Sequence, residues 1–408
     1  MHLLYNIGVG AYGLGIRIAS LFNSKAREWS LGRFRWKKSM RQLANPQGRD
    51  VIWFHCASLG EFDQGLPLMN KIKVEHPDAF LLVTFFSPSG FLHFHKREHA
   101  ADHVMYLPLD TPSNARTFIN YFAPKKCFFV KYEFWGNYIL AAKKQGSEIY
   151  NVSGLFRPNQ RFFKWYGSFF RKILMQFDHF FVQNETSKEL LKSIDIEKVS
   201  ITGDSRFDRV IENRDRAKEN GTISRFKGDD NLVVIGSSWP QDESILIPWI
   251  NQTKQKVLIA PHQVDDKHVS QIVSKITRKV TRYSEAYKVF SVDCEVLILD
   301  TIGHLASAYT YGKVAYVGGG FSGSLHNILE PAVFGLPVIF GPKHLRFPEA
   351  QAFIDGGFGF SVETTAQFEK AVDFIQSDLE NISQKEQAFV QSNAGASEKI
   401  YQEVFKKT

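Results

Sequence analysis

Four segments carry residues whose types and spacing could do chemistry. In WFHCASLGEFDQGLPL an apolar strand over 50–57 ends at Ala57, Ser58-Leu59-Gly60 turns, and a helix begins near Glu61. A carboxylate in a first helical turn feels the positive end of the helix dipole, which favours its ionised, proton-accepting form. Glu61 is therefore either a base at neutral pH or a plain dipole-stabilising glutamate. In FFVKYEFWGN the strand 126–131 runs into Glu133 beside large aromatics, which is a ligand position or a helix cap. In ITGDSRFD a strand ends at Gly203 and Arg206 follows. An arginine there can pair with phosphate or carboxylate, or simply face solvent.

The fourth segment, VAYVGGGFSGSLHNILEPAVFGLPVIFGP, is the most specific. A strand reaches Gly318, a flexible loop follows with Gly319 and Gly320, and a helix opens near Glu330 with Pro331 at a favoured first position. Loop N–H groups and a helix N-terminus suit phosphate. Glu330 is placed to accept from ribose hydroxyls. Gly318, Gly320 and Gly323 fit G-x-G-x-x-G, but no helix begins directly after them. Gly8, Gly10 and Gly13 fit it too, with no strand before them, so close helix packing explains them better. His95, His99 and His103 could present metal ligands on a helix. A strand begins at His103, however, and a solvated helix face is expected instead, with no metal. The absence of H-E-x-x-H, G-x-S-x-G and Walker motifs argues against the commonest hydrolases and P-loop enzymes.

These segments need a scaffold. From residue 50 short apolar runs alternate with amphipathic ones: strands are expected over 50–57, 79–86, 103–107, 126–131, 148–152, 178–183 and 198–202, with helices such as 61–76 and 186–194 between them. The pattern restarts with strands over 231–236, 256–260, 295–299, 313–318 and 336–340. Such alternation predicts parallel sheets with helices on both faces. The polar stretch 211–230 reads as the boundary. The expected division is an anchor and basic segment over 1–40, a first Rossmann-like domain over 41–212 and a second over 213–408. Ligands of two doubly wound domains are expected in a cleft at the strand C-termini.

The 408 residues suit two domains. The 44% hydrophobic and 23% charged content excludes disorder and low complexity. Net charge is +8, yet residues 1–50 hold nine basic residues and only Glu28 and Asp50 as acids. A nucleic-acid binder would spread that charge over a folded face, so none is expected as partner. Three widely spaced cysteines read as buried thiols in a reducing compartment. Residues 1–22 are apolar but interrupted by Arg17, and the basic residues follow them. This predicts a membrane anchor, spanning or lying in the interface, with the basic segment meeting anionic lipid on the cytoplasmic side. The alternative is an amphipathic helix packed on the protein itself.

Taken together, ASLGE (57–61), YEFWGN (132–137), TGDSRFD (202–208), DTIGHL (300–305) and HNILEPAVFGLPVIFGP (326–342) resemble the 3-deoxy-D-manno-octulosonic acid (Kdo) transferases, from the N-terminal segment to about residue 350. The resemblance implies an α/β GT-B glycosyltransferase with two Rossmann-like domains, that over 41–212 for the acceptor and that over 213–408 for the nucleotide sugar. It implies CMP-Kdo as donor, the lipid A precursor as acceptor, and a place at the cytoplasmic face of the inner membrane in lipopolysaccharide assembly. No cofactor is implied. By motif position Glu61 resembles the family's general base, and Glu133 and Arg206 its transition-state stabilisers. Pro261 with His262, the run Gly303, His304 and Leu305, and the run Asn327, Ile328, Leu329 and Glu330 resemble its CMP-contacting segments. Ser58, Gly60, Ser237, Ser238, Gly319 and Gly320 complete the expected substrate-binding set.

Three departures lie in the nucleotide half. The family usually has Pro-Arg-His where this chain has Pro261-His262-Gln263, and Glu where it has His304. It usually has Ser-Thr-His at Ser237-Ser238-Trp239. Competing readings are a UDP-sugar transferase or a sugar-nucleotide 2-epimerase of the same architecture, and a non-catalytic membrane-surface binder of sugar nucleotides.

Overall fold

The computed structural model describes residues 1–43, 46, 48–286 and 293–406. The chain forms two compact units, Met1–Arg209 with Asn393–Thr408, and Val210–Ser392.

The strands of the first unit are β1 (Val51–Cys56), β2 (Phe80–Phe85), β3 (His103–Tyr106), β4 (Lys126–Val130), β5 (Glu148–Gly154), β6 (His179–Val182) and β7 (Val199–Ile201). They pair in parallel in the order β3-β2-β1-β4-β5-β6-β7. Every residue of β1 and β2 is buried, as a sheet covered on both faces requires. Alternation along the strands divides the core into two layers. Trp53 and Phe129 pack in one with Phe118 and Tyr138, while Phe54 and Phe128 pack in the other with Phe62 and Met69.

Strand order reverses at the β1/β4 pair, where His55 lies abreast of Phe129. The segments after those two strands hold Glu61 and Glu133. The carboxyl ends at such a reversal are where open α/β sheets place ligands.

The second unit has β8 (Leu232–Ser238), β9 (Lys256–Pro261), β10 (Val280–Arg282), β11 (Val296–Ile298), β12 (Val314–Val317), β13 (Val338–Phe340) and β14 (Gly359–Ser361). These are also parallel, in the order β10-β11-β9-β8-β12-β13-β14. The reversal here falls at β8/β12, so Ser238-Trp239 and the loop from Gly318 leave from adjacent strand ends.

All twelve strands expected from sequence are present. The sequence reading misses β10 and β14, the two edges of the second sheet. Each has three residues, with β10 only half-buried, so neither writes an apolar run. Residues 211–230 are not an extended linker, because the helices Arg206–Asp215 and Gly221–Lys227 occupy most of them. The division at 209/210 lies close to the expected 212/213. The last helix, Ala396–Phe405, departs from the expected second domain and returns to the first unit, where Ile400 and Tyr401 are buried against the layer of Phe54 and Phe128.

The N-terminal segment is part of the first unit rather than separate from it. Its helix His2–Ala19 docks by one face: Tyr5 Oη donates to Asp110 at 2.5 Å, His2 pairs with Asn137, and Gly13 abuts Leu109 so closely that a Cβ would clash. The other face exposes Leu3, Leu4, Ile7, Leu14 and Ile18. Among the described residues no helix is long and apolar enough to cross a membrane. Arg17 and the docked polar residues are the reason.

Candidate active site

Glu61 stands in the first turn of the helix Leu59–Glu75, which Ser58 caps by accepting from the Glu61 N–H at 3.5 Å. The Glu61 carboxylate folds back to accept from the Ala57 N–H at 2.5 Å. It is only 7% exposed. Burial lifts its pKa to about 7, against the pull of the Ala57 N–H; Glu133 adds to the rise and Lys131 opposes it. The helix end alone therefore does not keep this group fully ionised at neutral pH, as the sequence suggested. Desolvation outweighs it and leaves a carboxyl group that titrates near neutrality.

Glu133 follows β4 across Lys131, whose φ of 62° turns the chain sharply in the left-handed region. Burial raises the Glu133 proton affinity, and Arg161 offsets part of that rise. The next ring is fixed from beneath: Trp135 donates its indole N–H to His55 Nε2 at 3.0 Å, while His55 Nδ1 meets Thr84 Oγ1 at 2.9 Å. His55 is fully buried, and desolvation lowers its pKa to about 3. It is therefore neutral and able to accept that bond.

Arg206 does not project alone. Its Nε and one terminal nitrogen reach the Asp204 carboxylate at 2.7 and 2.6 Å, and Gln64 donates to the same carboxylate at 3.1 Å. Burial pushes Asp204 up, but Arg206 and Lys131 overcome it and hold the carboxyl below its ordinary range. Glu61, Glu133, Lys131, Asp204 and Arg206 thus form one electrostatically coupled group in the first unit. Lys131, Asp204, Gln64 and His55 escaped sequence reasoning. A lysine closing the buried run CFFV was the available signal.

In the second unit Ser237 adopts φ of 55° and Ser238 ends β8, donating to Glu243 Oε1 at 3.1 Å. His268 meets the same oxygen at 3.0 Å. Asp242 accepts from Tyr316 Oη at 2.7 Å, Trp239 N–H at 2.9 Å and Gly319 N–H at 3.0 Å, which ties the loops after β8 and β12 together. The glycines there answer to crowding. A Cβ on Gly318 would meet the Ser237 carbonyl at 2.2 Å, and one on Gly320 would meet Gly341 N at 2.5 Å.

After Pro261 closes β9, His262 stacks on Trp239 with centroids 4.1 Å apart, and Trp239 Nε1 donates to His326 Nε2 at 3.2 Å. The two departures at Trp239 and His262 are thus in direct contact. Gly303 takes φ of 103°, and the His304 ring lies tilted against Tyr283, centroids 4.6 Å apart, before the helix that starts at Leu305.

Asn327 accepts from the Leu329 N–H at 3.3 Å and lies 3.4 Å from Glu330. Two expectations change here. Ile328 and Leu329 are buried, so their side chains pack the loop and only backbone could face a ligand. The helix Leu329–Ala332 has four residues, too short for a developed dipole, so it does not supply the helix N-terminus expected for phosphate. Gly60 is exposed, with open space where a Cβ would stand.

His95 lies in a short 3-10 turn, Phe94–Lys96. His99 lies beyond it, packed beside Phe62 and Phe94, and His103 begins β3. The expected histidine helix face is not formed, because the helix Pro88–His93 ends first. Among the described residues no group of three or more His, Cys, Asp or Glu could hold a metal ion. The three cysteines are buried and free.

Residues 32–209 match the family described as 3-deoxy-D-manno-octulosonic-acid transferase (kdotransferase). The chain is 29% identical over 352 residues to the 3-deoxy-D-manno-octulosonic acid transferase of Chlamydophila psittaci, covering 82% of this chain and 79% of that one. It is 26% identical over 345 residues to the enzyme of the same name from Aquifex aeolicus, covering 83% and 88%. Among solved structures, a putative UDP-N-acetylglucosamine 2-epimerase from Listeria monocytogenes superposes with a TM-score of 0.60 over 88% of this chain and 98% of that one. At 11% identity that likeness speaks for the two-unit α/β fold alone. The family match over the unit that holds Glu61, Glu133 and Arg206, with relatives aligned over most of the chain, makes this protein similar to the Kdo transferases, and that likeness supports a glycosyltransferase.

Proposed function

We propose that the protein transfers Kdo from CMP-Kdo to the lipid A precursor, inverting the anomeric centre in one displacement with Glu61 as general base. The observation that carries this reading is the buried Glu61 carboxylate, lifted to about 7 and coupled to Glu133 and Lys131. Glu61 removes the proton from an acceptor sugar hydroxyl. The freed oxygen attacks C2 of Kdo as the bond to the CMP phosphate breaks, and the electron pair leaves with CMP. Glu133, when ionised, offsets positive charge on the oxocarbenium-like carbon. Arg206, oriented by Asp204, and Lys131 neutralise the anionic groups of the donor.

On the nucleotide side, the Gly320 N–H is suited to the phosphate, since the Gly319 N–H is already given to Asp242, and Glu330 is suited to the ribose hydroxyls. CMP leaves as a monophosphate, which asks less charge neutralisation than a diphosphate would. The exposed apolar face of His2–Ala19 and the basic residues of 25–49 support work at a membrane surface on the cytoplasmic side.

The test is mass spectrometry of the tetra-acylated lipid A precursor after incubation with the protein, detergent and a CMP-Kdo supply. A gain of one Kdo unit establishes donor and acceptor. Two or more show that the product is itself an acceptor. No gain, with a known transferase active in parallel, overturns the assignment and directs attention to a UDP-sugar donor, which competition by CMP against UDP would reveal.

A further inference from the structure

A cavity of about 540 Å³ lies in the first unit where the N-terminal helices meet the segment after β3. It is distinct from the cluster around Glu61. Arg17, Arg33 and Arg35 line it, and no acidic residue does. Arg17 and Arg35 are exposed, and neither forms an ion pair among the described residues. Arg33 is buried. Its guanidinium donates to the carbonyls of Leu107, Phe86 and Trp29 and lies 3.8 Å from the Trp29 ring centre, again with no carboxylate. Burial lowers its pKa to about 9, so it stays cationic at neutral pH. Three cations gathered without a counter-charge form a strong positive field in a confined space.

Two further lining groups lack partners. Trp29 Nε1 and Ser30 Oγ are buried and make no hydrogen bond among the described residues. An indole N–H can only donate, and buried donors of native proteins are nearly always satisfied. The set needs an acceptor that is anionic and carries several oxygens. The rim narrows the choice of source, since Leu31 and Phe34 line the cavity and are each 65% exposed. Ile18, Leu21 and Phe22, on the adjoining helix and turn, are exposed as well. A soluble ion has no use for such a rim, whereas acyl chains do.

We propose that this cavity seats the phosphate group of a membrane lipid, with Arg17 and Arg35 pairing to its oxygens, Trp29 and Ser30 donating from the floor, and Leu31 and Phe34 entering the acyl layer. The proposal rests on the reading that this face meets a membrane, and it fixes the lipid's phosphate as the group recognised.

The experiment is co-sedimentation of the full chain with vesicles of phosphatidylcholine alone and of phosphatidylcholine with phosphatidylglycerol, at physiological salt. The expected result is tighter binding to the anionic vesicles. Arg17→Gln/Arg35→Gln should weaken that binding about tenfold more than Lys37→Gln/Lys38→Gln, which removes equal charge outside the cavity lining. Equal losses in the two variants overturn the cavity and leave only general surface charge. No binding to either vesicle overturns the membrane reading along with it. Saturable quenching of tryptophan fluorescence by inorganic phosphate without vesicles, abolished by Arg17→Gln/Arg35→Gln, would overturn the lipid source in favour of a soluble ion.

Discussion

The Ala57 N–H and the Glu61 carboxylate lie 2.5 Å apart, so the proposed base is tethered to the end of the strand before its own helix. Glutamine can keep that bond through its carbonyl oxygen but cannot take a proton. Glu61→Gln is therefore expected to fold normally and to lose about 10²–10⁴-fold in transfer rate, roughly 3–5 kcal/mol of barrier. Initial rates at fixed CMP-Kdo, with the circular dichroism spectrum of the folded parent retained, check it. A rate like that of the parent protein would sink the base assignment.

The raised Glu61 pKa sets the pH profile. If the ionised form is the base, the rate should climb below about 7 and level off above it, and Glu61→Gln should lack that limb. Stability carries the opposite sign. The folded carboxyl holds its proton more tightly than the unfolded one, whose pKa is about 4.3. Its contribution is complete below about 4.3 and is lost as pH rises through about 7. Urea unfolding at pH 5 and pH 8 should show a smaller difference in Glu61→Gln than in the parent.

A methyl group at Gly320 would strike backbone rather than a movable side chain, since Gly341 N lies 2.5 Å from where its Cβ would stand. Gly320→Ala should cost roughly 1–3 kcal/mol in overpacking and weaken CMP binding by more than tenfold. Calorimetric titration with CMP reads the effect. Undiminished affinity would remove this loop from the donor site.

Ile400 is fully buried in the first unit although it belongs to the last helix. Ile400→Ala should destabilise that unit by about 2–5 kcal/mol. Hydrogen exchange should locate the loss in β1 and β4. Faster exchange confined to the second unit would contradict the packing described here.

What sequence could supply was set by how each feature is encoded. Fully buried parallel strands such as VIWFHC write themselves as apolar runs, and every such run became a strand. Edge strands β10 and β14 are short and partly wet, so nothing marked them. Glu61, Glu133 and Arg206 stood out because each follows a strand end. Their mutual influence did not, because it depends on the adjacency of β1 and β4 and on the turn at Lys131. The Glu61 charge state was misjudged for the same reason: a helix start is visible in sequence, but the depth of burial is not. The pairing of Trp239 with His262 was also hidden, since it joins the ends of two strands 23 positions apart.

The return of Ala396–Phe405 to the first unit bears on how the chain is made. During synthesis residues 210–392 must leave the ribosome before Ile400 and Tyr401 can close the layer over Phe54 and Phe128. The first half therefore emerges with part of an aromatic surface uncovered, beside an N-terminal helix that also exposes leucine and isoleucine.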